Sequence, residues 1–280
     1  MKVLFYLFGF PVHFFGTMIA LGILAGLAVA YFEVKRKKLN IDRMLDIVLF
    51  SAISAVITAR LFYILFYDLS YYVKNPLDIF KIYEGGLSIH GALLGAFASA
   101  VFYVRKHKLN FFKYADAMAP GIILGQGIGR VGCDVFGKVM AVPYAWGVKV
   151  QGQLLHPAQV YEFLLDYLVF FILWRKRKSI RYDGQLFIWY IILFSISRGV
   201  VELFRYNPSI IGWFSISHLL SLVFIAGAVI LMMVIKKKRI NAEAVTKEDT
   251  SVRALEWVRG LLVILVLVAV SLLIFYTIQS

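Results

Sequence analysis

The chain of 280 residues is 61% hydrophobic and only 16% charged, with a mean hydropathy of +0.80, where ordinary soluble domains carry about a quarter charged residues. Its formal net charge of +14 would suggest a nucleic-acid partner in a soluble protein, but the basic residues sit in short clusters between apolar runs. That pattern excludes nucleic acid and reads as a polytopic integral membrane protein. Cys133 is the single cysteine, so no intrachain disulfide is possible.

Apolar runs of about 20 residues cross a bilayer as helices. They fall at roughly 12–34, 44–67, 87–104, 114–129, 157–174, 184–204, 214–235 and 257–277, which predicts an all-α chain of about eight transmembrane helices. The first run is followed by "KRKK" and lacks a small-residue cleavage site, so it reads as retained and not as a signal peptide. Basic clusters follow the first, third, fifth and seventh runs: Lys35 to Arg43, Arg105 to Lys113, Arg175 to Arg181 and Lys236 to Arg259. Positive residues stay on the cytoplasmic side, so both termini are expected to be extracytoplasmic, as are the connections 68–86, 130–156 and 205–213. The chain then divides into a transmembrane domain over 1–236, a cytoplasmic linker over 237–256 and an extra C-terminal transmembrane helix over 257–280.

Four arginines are left over from this topology. Arg60 lies inside the second run, Arg130 ends the fourth, Arg198 lies inside the sixth and Arg205 follows at its outer end. An ion within a membrane costs several kcal/mol unless paired or hydrated, which makes each a candidate for function. "SRGVVELFR" puts Arg198, Glu202 and Arg205 on one helical face, with Glu202 between two guanidinium groups. This could be a charge-neutralised helix clamp, but one acid leaves positive charge for an anion. Arg60 could pair with Glu84 or Glu162. "GQGIGRVGCDVFGK" sets Arg130 among glycines, where backbone can approach a ligand closely. His90 in "EGGLSIHGALLGA" stands at the outer mouth of the third run, where a histidine can serve as a base. His156 in "HPAQVYE" reads as a cap before Pro157, with Gln159 and Glu162 about one turn in and able to orient an arginine. No set of His and Cys residues has zinc-ligand spacing, and no nucleotide-binding motif is present.

Taken together, "YEGGLSIHGALLGAF", "APGIILGQGIGRVGC", "HPAQVYE" and "SRGVVELFR" resemble the phosphatidylglycerol–prolipoprotein diacylglyceryl transferase family of bacteria, over about residues 9 to 225. The resemblance implies an enzyme of the bacterial cytoplasmic (inner) membrane. It would transfer a diacylglyceryl group from phosphatidylglycerol to the lipobox cysteine thiol of a preprolipoprotein signal peptide. A thioether forms and glycerol 1-phosphate leaves, with no metal or cofactor. Carried over by position, His90, Arg130, Arg198 and Glu202 would be catalytic. His90 would act as base or orienting residue, and Glu202 would hold Arg198. Arg130, Arg198, Gly129 and Gly132 would bind the headgroup, and Arg60, Arg205 and Glu162 complete the expected substrate site. The chain departs from the family pattern at His13, Phe15, Cys133, Lys138 and Phe194, and in its eighth helix. A divergent paralogue that binds phosphatidylglycerol or modifies another acceptor is the competing reading, and an anion or lipid transporter a further one.

Overall fold

The computed structural model describes residues 2–82, 85–207, 209–212, 214–238 and 250–279. Its helices are α1 (Phe14–Arg36), α2 (Ile41–Tyr67), the short α3 (Leu69–Lys74), α4 (Ile89–Lys106), α5 (Phe111–Val131), α6 (Ala158–Lys176), α7 (Gln185–Glu202), α8 (Ile216–Lys238) and α9 (Thr250–Gln279). Each of the eight apolar runs therefore forms a long helix. α9 starts at Thr250, so part of the stretch expected as linker is helical, while 239–249 lies outside the described residues.

Among the described residues, five helices are long and apolar enough to cross a membrane: α1, α2, α7, α8 and α9. α4, α5 and α6 are as long but carry polar groups such as Asp116, Gln126 and Arg130 on α5 and Gln159, Glu162 and Asp166 on α6. α6 hides its polar side chains inside the protein: Gln159, Glu162 and Asp166 are each no more than 3% exposed. The architecture is that of a helical, polytopic membrane protein.

The chain folds as two compact units, one of residues 34–114 and one of 1–33 with 115–280. In the first, α2 starts at an Asn40 cap whose Oδ1 accepts from Arg43 N at 3.0 Å. α2 and α4 pack closely because α4 presents glycines: Thr58 Oγ1 donates to Gly91 O at 2.8 Å and Ser54 Oγ to Gly95 O at 3.0 Å. In the connection after α3, Lys81 Nζ lies 2.7 Å from Asp78 and the Tyr71 hydroxyl donates to it at 2.6 Å. These two donors, Lys81 first, hold the Asp78 carboxyl below the usual carboxylate range.

In the second unit, α1 and α5 cross antiparallel through two pairs of glycines. A Cβ on Gly22 would lie 2.5 Å from Gly125 O, and one on Gly26 would lie 2.6 Å from Gly121 O. Small residues four apart on both helices let the backbones touch, a packing that suits helices in lipid. α6 runs through the core, where Phe163, Tyr167 and Leu173 have no exposed surface. At one end of α6, Arg177 Nε donates to Glu33 Oε1 on α1 at 2.9 Å, and its guanidinium lies over the Trp174 ring. Asp116, fully buried on α5, accepts from Gly184 N at 2.8 Å and Phe187 N at 2.9 Å, which satisfies two of the free N–H groups at the start of α7.

Among the described residues there are three short hairpins, one before α1 and two between helices: β1 (Val3–Leu7) with β2 (Phe10–His13), β3 (Val148–Val150) with β4 (Gln153–Leu155), and β5 (Ser209–Ile211) with β6 (Phe214–Ser215). The first two turn through Phe8–Gly9 and Gln151–Gly152, all four at positive φ, as a two-residue type I′ turn demands. The glycine crossing makes a direct prediction. Gly22→Val should destabilise the fold by about 1–3 kcal/mol through overpacking. Gly227→Ala, with nothing within 4 Å of its Cβ, should not destabilise it. Thermal unfolding in detergent compares the two.

Candidate functional site

Four charged side chains from three helices and a following loop meet in the unit of 1–33 and 115–280. Glu162 stands one turn into α6, its side chain only 4% exposed. Its Oε1 accepts from Arg198 Nη1 at 2.9 Å and lies 3.2 Å from Arg130 Nη2, while Oε2 faces Arg205 Nη1 at 3.8 Å. Arg130 belongs to the last turn of α5, Arg198 to α7, and Arg205 follows α7. One carboxylate thus pairs directly with three guanidinium groups, while Glu202 and Asp166 lie near enough to act on them without an ion pair.

The loop between α5 and α6 fixes Arg205. Gly137 and Arg205 form an antiparallel bridge, Lys138 N donates to Phe204 O at 2.7 Å, and Gly137 N donates to His156 O at 2.8 Å. A Cβ at Gly137 would overlap the Phe204 carbonyl oxygen, so only glycine permits this approach. Lys138 Nζ donates to Leu203 O at 3.1 Å and so meets a carbonyl at the end of α7. His156 does not cap α6; Pro157 occupies that position without a side-chain bond. Instead His156 Nδ1 is hydrogen-bonded to the Tyr161 hydroxyl at 3.0 Å, and Trp146 Nε1 donates to the same hydroxyl at 3.0 Å. The histidine secures the loop to α6.

Several polar atoms around the cluster carry no hydrogen bond among the described residues. They are Arg205 Nε, Gln159 Oε1, Glu202 Oε2 and both carboxyl oxygens of Asp166, all buried. Of these, Arg205 Nε is a donor within the cluster and suits an incoming oxyanion; the other four atoms are oxygens. Arg130 and Arg198 keep 34% and 24% of their side-chain surface exposed, so an anion can reach them. Burial lowers the affinity of Arg205 for its proton, with Arg198 adding to the effect, yet an arginine stays charged throughout the physiological range.

The remaining sequence expectations fare differently. Glu202 forms no direct ion pair with Arg198 or Arg205, although its carboxylate still acts on both through space. Its Oε1 accepts from Asn207 Nδ2 and Ser215 Oγ, each at 2.7 Å, and Glu162 takes the ion-pairing role. Arg60 is not a free cation. Its Nε donates to Ile79 O, Nη1 to Gly85 O and Gly86 O, and Nη2 to Asp78 O, at 2.6 to 3.0 Å, so its guanidinium pins the segment before α4. Glu84, the partner considered for it, lies outside the described residues. Gly132 faces α1, where a Cβ would lie 2.8 Å from Met18 Cβ, while a Cβ at Gly129 would make an ordinary 3.9 Å contact with Ile19 Cγ1. His90 is exposed in the first turn of α4 and belongs to the 34–114 unit. Cys133 is buried, with Arg130 Nη1 3.8 Å from its sulfur. Phe194 stacks on Tyr190, whose hydroxyl donates to Gln126 Oε1 at 3.2 Å.

Asp116 and Asp166 were not singled out from the sequence. Both are acids inside otherwise apolar runs, so the rule that selected the arginines also points to them.

A helical membrane protein with converging arginines that outnumber their acid belongs to the class that binds an anionic group at the membrane. The comparison with known proteins narrows this class. A sequence model of the family described as prolipoprotein diacylglyceryl transferase matches residues 2–234. The phosphatidylglycerol–prolipoprotein diacylglyceryl transferase of Clostridioides difficile is 34% identical over 242 residues, which cover 86% of this chain and 97% of that protein. The proteins of the same name from Finegoldia magna and Bacillus cytotoxicus are each 33% identical, covering 86% and 84% of this chain and 98% and 92% of their own. The chain belongs to the prolipoprotein diacylglyceryl transferase family.

Removing one partner of a buried ion pair leaves an uncompensated charge, at a cost of about 3–5 kcal/mol. Glu162→Gln should therefore destabilise the protein by that order, and Arg130→Gln, being more exposed, by about 1 kcal/mol. Chemical unfolding in detergent micelles measures both.

Proposed function

We propose that this protein transfers the diacylglyceryl group of phosphatidylglycerol to the lipobox cysteine thiol of a preprolipoprotein, forming a thioether and releasing glycerol 1-phosphate. The observation that carries the reading is the cluster of Arg130, Arg198 and Arg205 around Glu162 in a chain of this family. The thiolate sulfur bonds to the glyceryl carbon while the carbon–oxygen bond to phosphate breaks, and the phosphate keeps the electron pair. The entering phosphodiester carries one negative charge, and the departing phosphate monoester gains a second. The fixed positive charge of three guanidinium groups therefore favours the departing state over the entering one, which is how electrostatic preorganisation accelerates a displacement.

Arg198 and Arg130 are assigned to the phosphate, with Arg205 Nε as a further donor. Glu162 spaces the guanidinium groups and so is a positioning residue. His90, in the unit of 34–114, is assigned as the base that takes the thiol proton by its match to the family pattern alone. Arg60 shapes the loop ahead of it. Glu202 orders the end of α7 through Ser215 and Asn207, and Gly129 leaves the backbone next to Arg130 without a side chain. The chemistry balances without a metal or cofactor.

The protein is assigned to the bacterial cytoplasmic membrane with eight spans and both termini outside. α1, α4 and α6 end in the basic pairs Lys35 and Arg36, Arg105 and Lys106, and Arg175 and Lys176, whereas the last turns of α2 and α7 carry no basic residue. That alternation supports the assignment. Residues 1–236 form the transferase domain, and the signal peptide and the lipid both reach it from the bilayer.

Arg198→Ala should lower thioether formation by at least about a hundredfold, as loss of one transition-state charge contact does, and Arg198→Lys should recover only part, because an ammonium lacks the planar fork. Mass spectrometry of a lipobox peptide incubated with purified protein and phosphatidylglycerol vesicles reads the result. Normal turnover in the alanine variant would remove the proposal.

A further inference from the structure

The family match ends at residue 234, before α9 begins. α9 is nevertheless built into the core that carries the arginine cluster. Phe275 has no exposed surface and packs edge-on against Phe163, the neighbour of Glu162 on α6, with ring centroids 6.4 Å apart. Ser271, buried at 4% exposure, shares a hydrogen bond of 2.8 Å with the Tyr167 hydroxyl. Tyr167 in turn lies flat against α5: a Cβ at Gly127 would stand 2.7 Å from its Cε1. Gly127 is one turn before Arg130. At the end of α9, the Tyr276 hydroxyl donates to Trp146 O at 2.7 Å. Trp146 sits in the loop whose Gly137 pairs with Arg205. At the other end, Arg175 lies over the rings of both Phe171 on α6 and Trp257 on α9, at 5.9 and 5.7 Å.

We propose that α9 is a brace for the anion site, with Ser271, Phe275 and Tyr276 as positioning residues that act through Tyr167, Phe163 and Trp146. The argument is geometric. Arg130 and Glu162 belong to different helices, α5 and α6, and their separation depends on how closely those helices approach. Tyr167 is the spacer between them at Gly127, and its only side-chain hydrogen bond among the described residues goes to α9. Phe275 backs the turn of α6 that bears Glu162. The third contact ties down the loop that orients Arg205. A helix serving only as a membrane anchor needs lipid-facing side chains; it has no need of a buried hydroxyl pair or a fully buried phenylalanine. α9 carries both kinds, since Leu262, Val266 and Leu273 on it are exposed.

The proposal deepens the transferase reading and rests on it for its kinetic arm alone. Ser271→Ala removes one hydroxyl and leaves the fold intact. It should lower kcat roughly fivefold, the effect of one neutral buried hydrogen bond, with KM for phosphatidylglycerol in vesicles unchanged, and Ser271→Thr should restore the rate. Tyr276→Phe should act in the same direction and is a second change without a cavity. Hydrogen–deuterium exchange gives a readout independent of activity. Peptides covering 122–134 and 158–170 should exchange faster in Ser271→Ala and Tyr276→Phe than in the unaltered chain. Faster exchange there supports the brace even if the unaltered chain proves inactive on lipobox peptide, an outcome that defeats the transferase reading alone. Unchanged exchange in both segments, or wild-type turnover in both variants of an active enzyme, overturns the brace.

Discussion

One buried carboxylate facing three guanidinium groups is the constraint on which the rest of this structure depends. Three arginines cannot share a small volume within a membrane unaided, because like charges in a poorly screening interior repel strongly. Glu162 relieves that repulsion, reaching Arg198 at 2.9 Å, Arg130 at 3.2 Å and Arg205 at 3.8 Å. It does so incompletely, and the incompleteness is what gives the site its chemistry. A fully neutralised cluster would be a helix clamp. Three guanidinium groups with one directly paired acid keep donors for an anion, and they favour the state in which the anion carries more charge.

The surrounding architecture keeps that arrangement in place. α6 supplies the acid and is buried along most of its length, so the polar residues that make it a poor membrane span by composition never meet lipid. Each arginine is delivered by a different restraint: Arg130 by α5, which the glycine pairs lock to α1; Arg198 by α7, whose start is held by Asp116; and Arg205 by the loop pairing at Gly137. Stability and function draw on the same contacts here, since Asp116 and Gly137 touch no anion yet set where the guanidinium groups end up.

Much of this was legible in the sequence, for identifiable reasons. A transmembrane helix needs about 20 apolar residues and little else, so all eight long helices could be placed. Intramembrane arginines stand out for the same reason, and three of the four converge. What stayed hidden was which acid pairs with them. Helical spacing put Glu202 between Arg198 and Arg205, but Ser215 and Asn207, brought in by the chain after α7, occupy its oxygen. The partner instead comes from α6, a tertiary fact that spacing within α7 cannot reveal. Arg60 shows the converse limit: carbonyls of residues 78, 79, 85 and 86, partly freed by Gly85 and Gly86 at positive φ, satisfy it, and backbone direction is not written in composition. The hairpins were missed because Phe8–Gly9 and Gln151–Gly152 lack the Asn or Asp that usually announces a type I′ turn.

The charge account has a direct test that needs no catalysis. Titration calorimetry of the purified protein at neutral pH should compare glycerol 1-phosphate, which carries close to two negative charges, with its methyl diester, which carries one. The excess of guanidinium over carboxylate predicts clearly tighter binding of the former, and a wider gap between the two in Glu162→Gln. Equal affinities for the two ligands, or a preference for the diester, would contradict it.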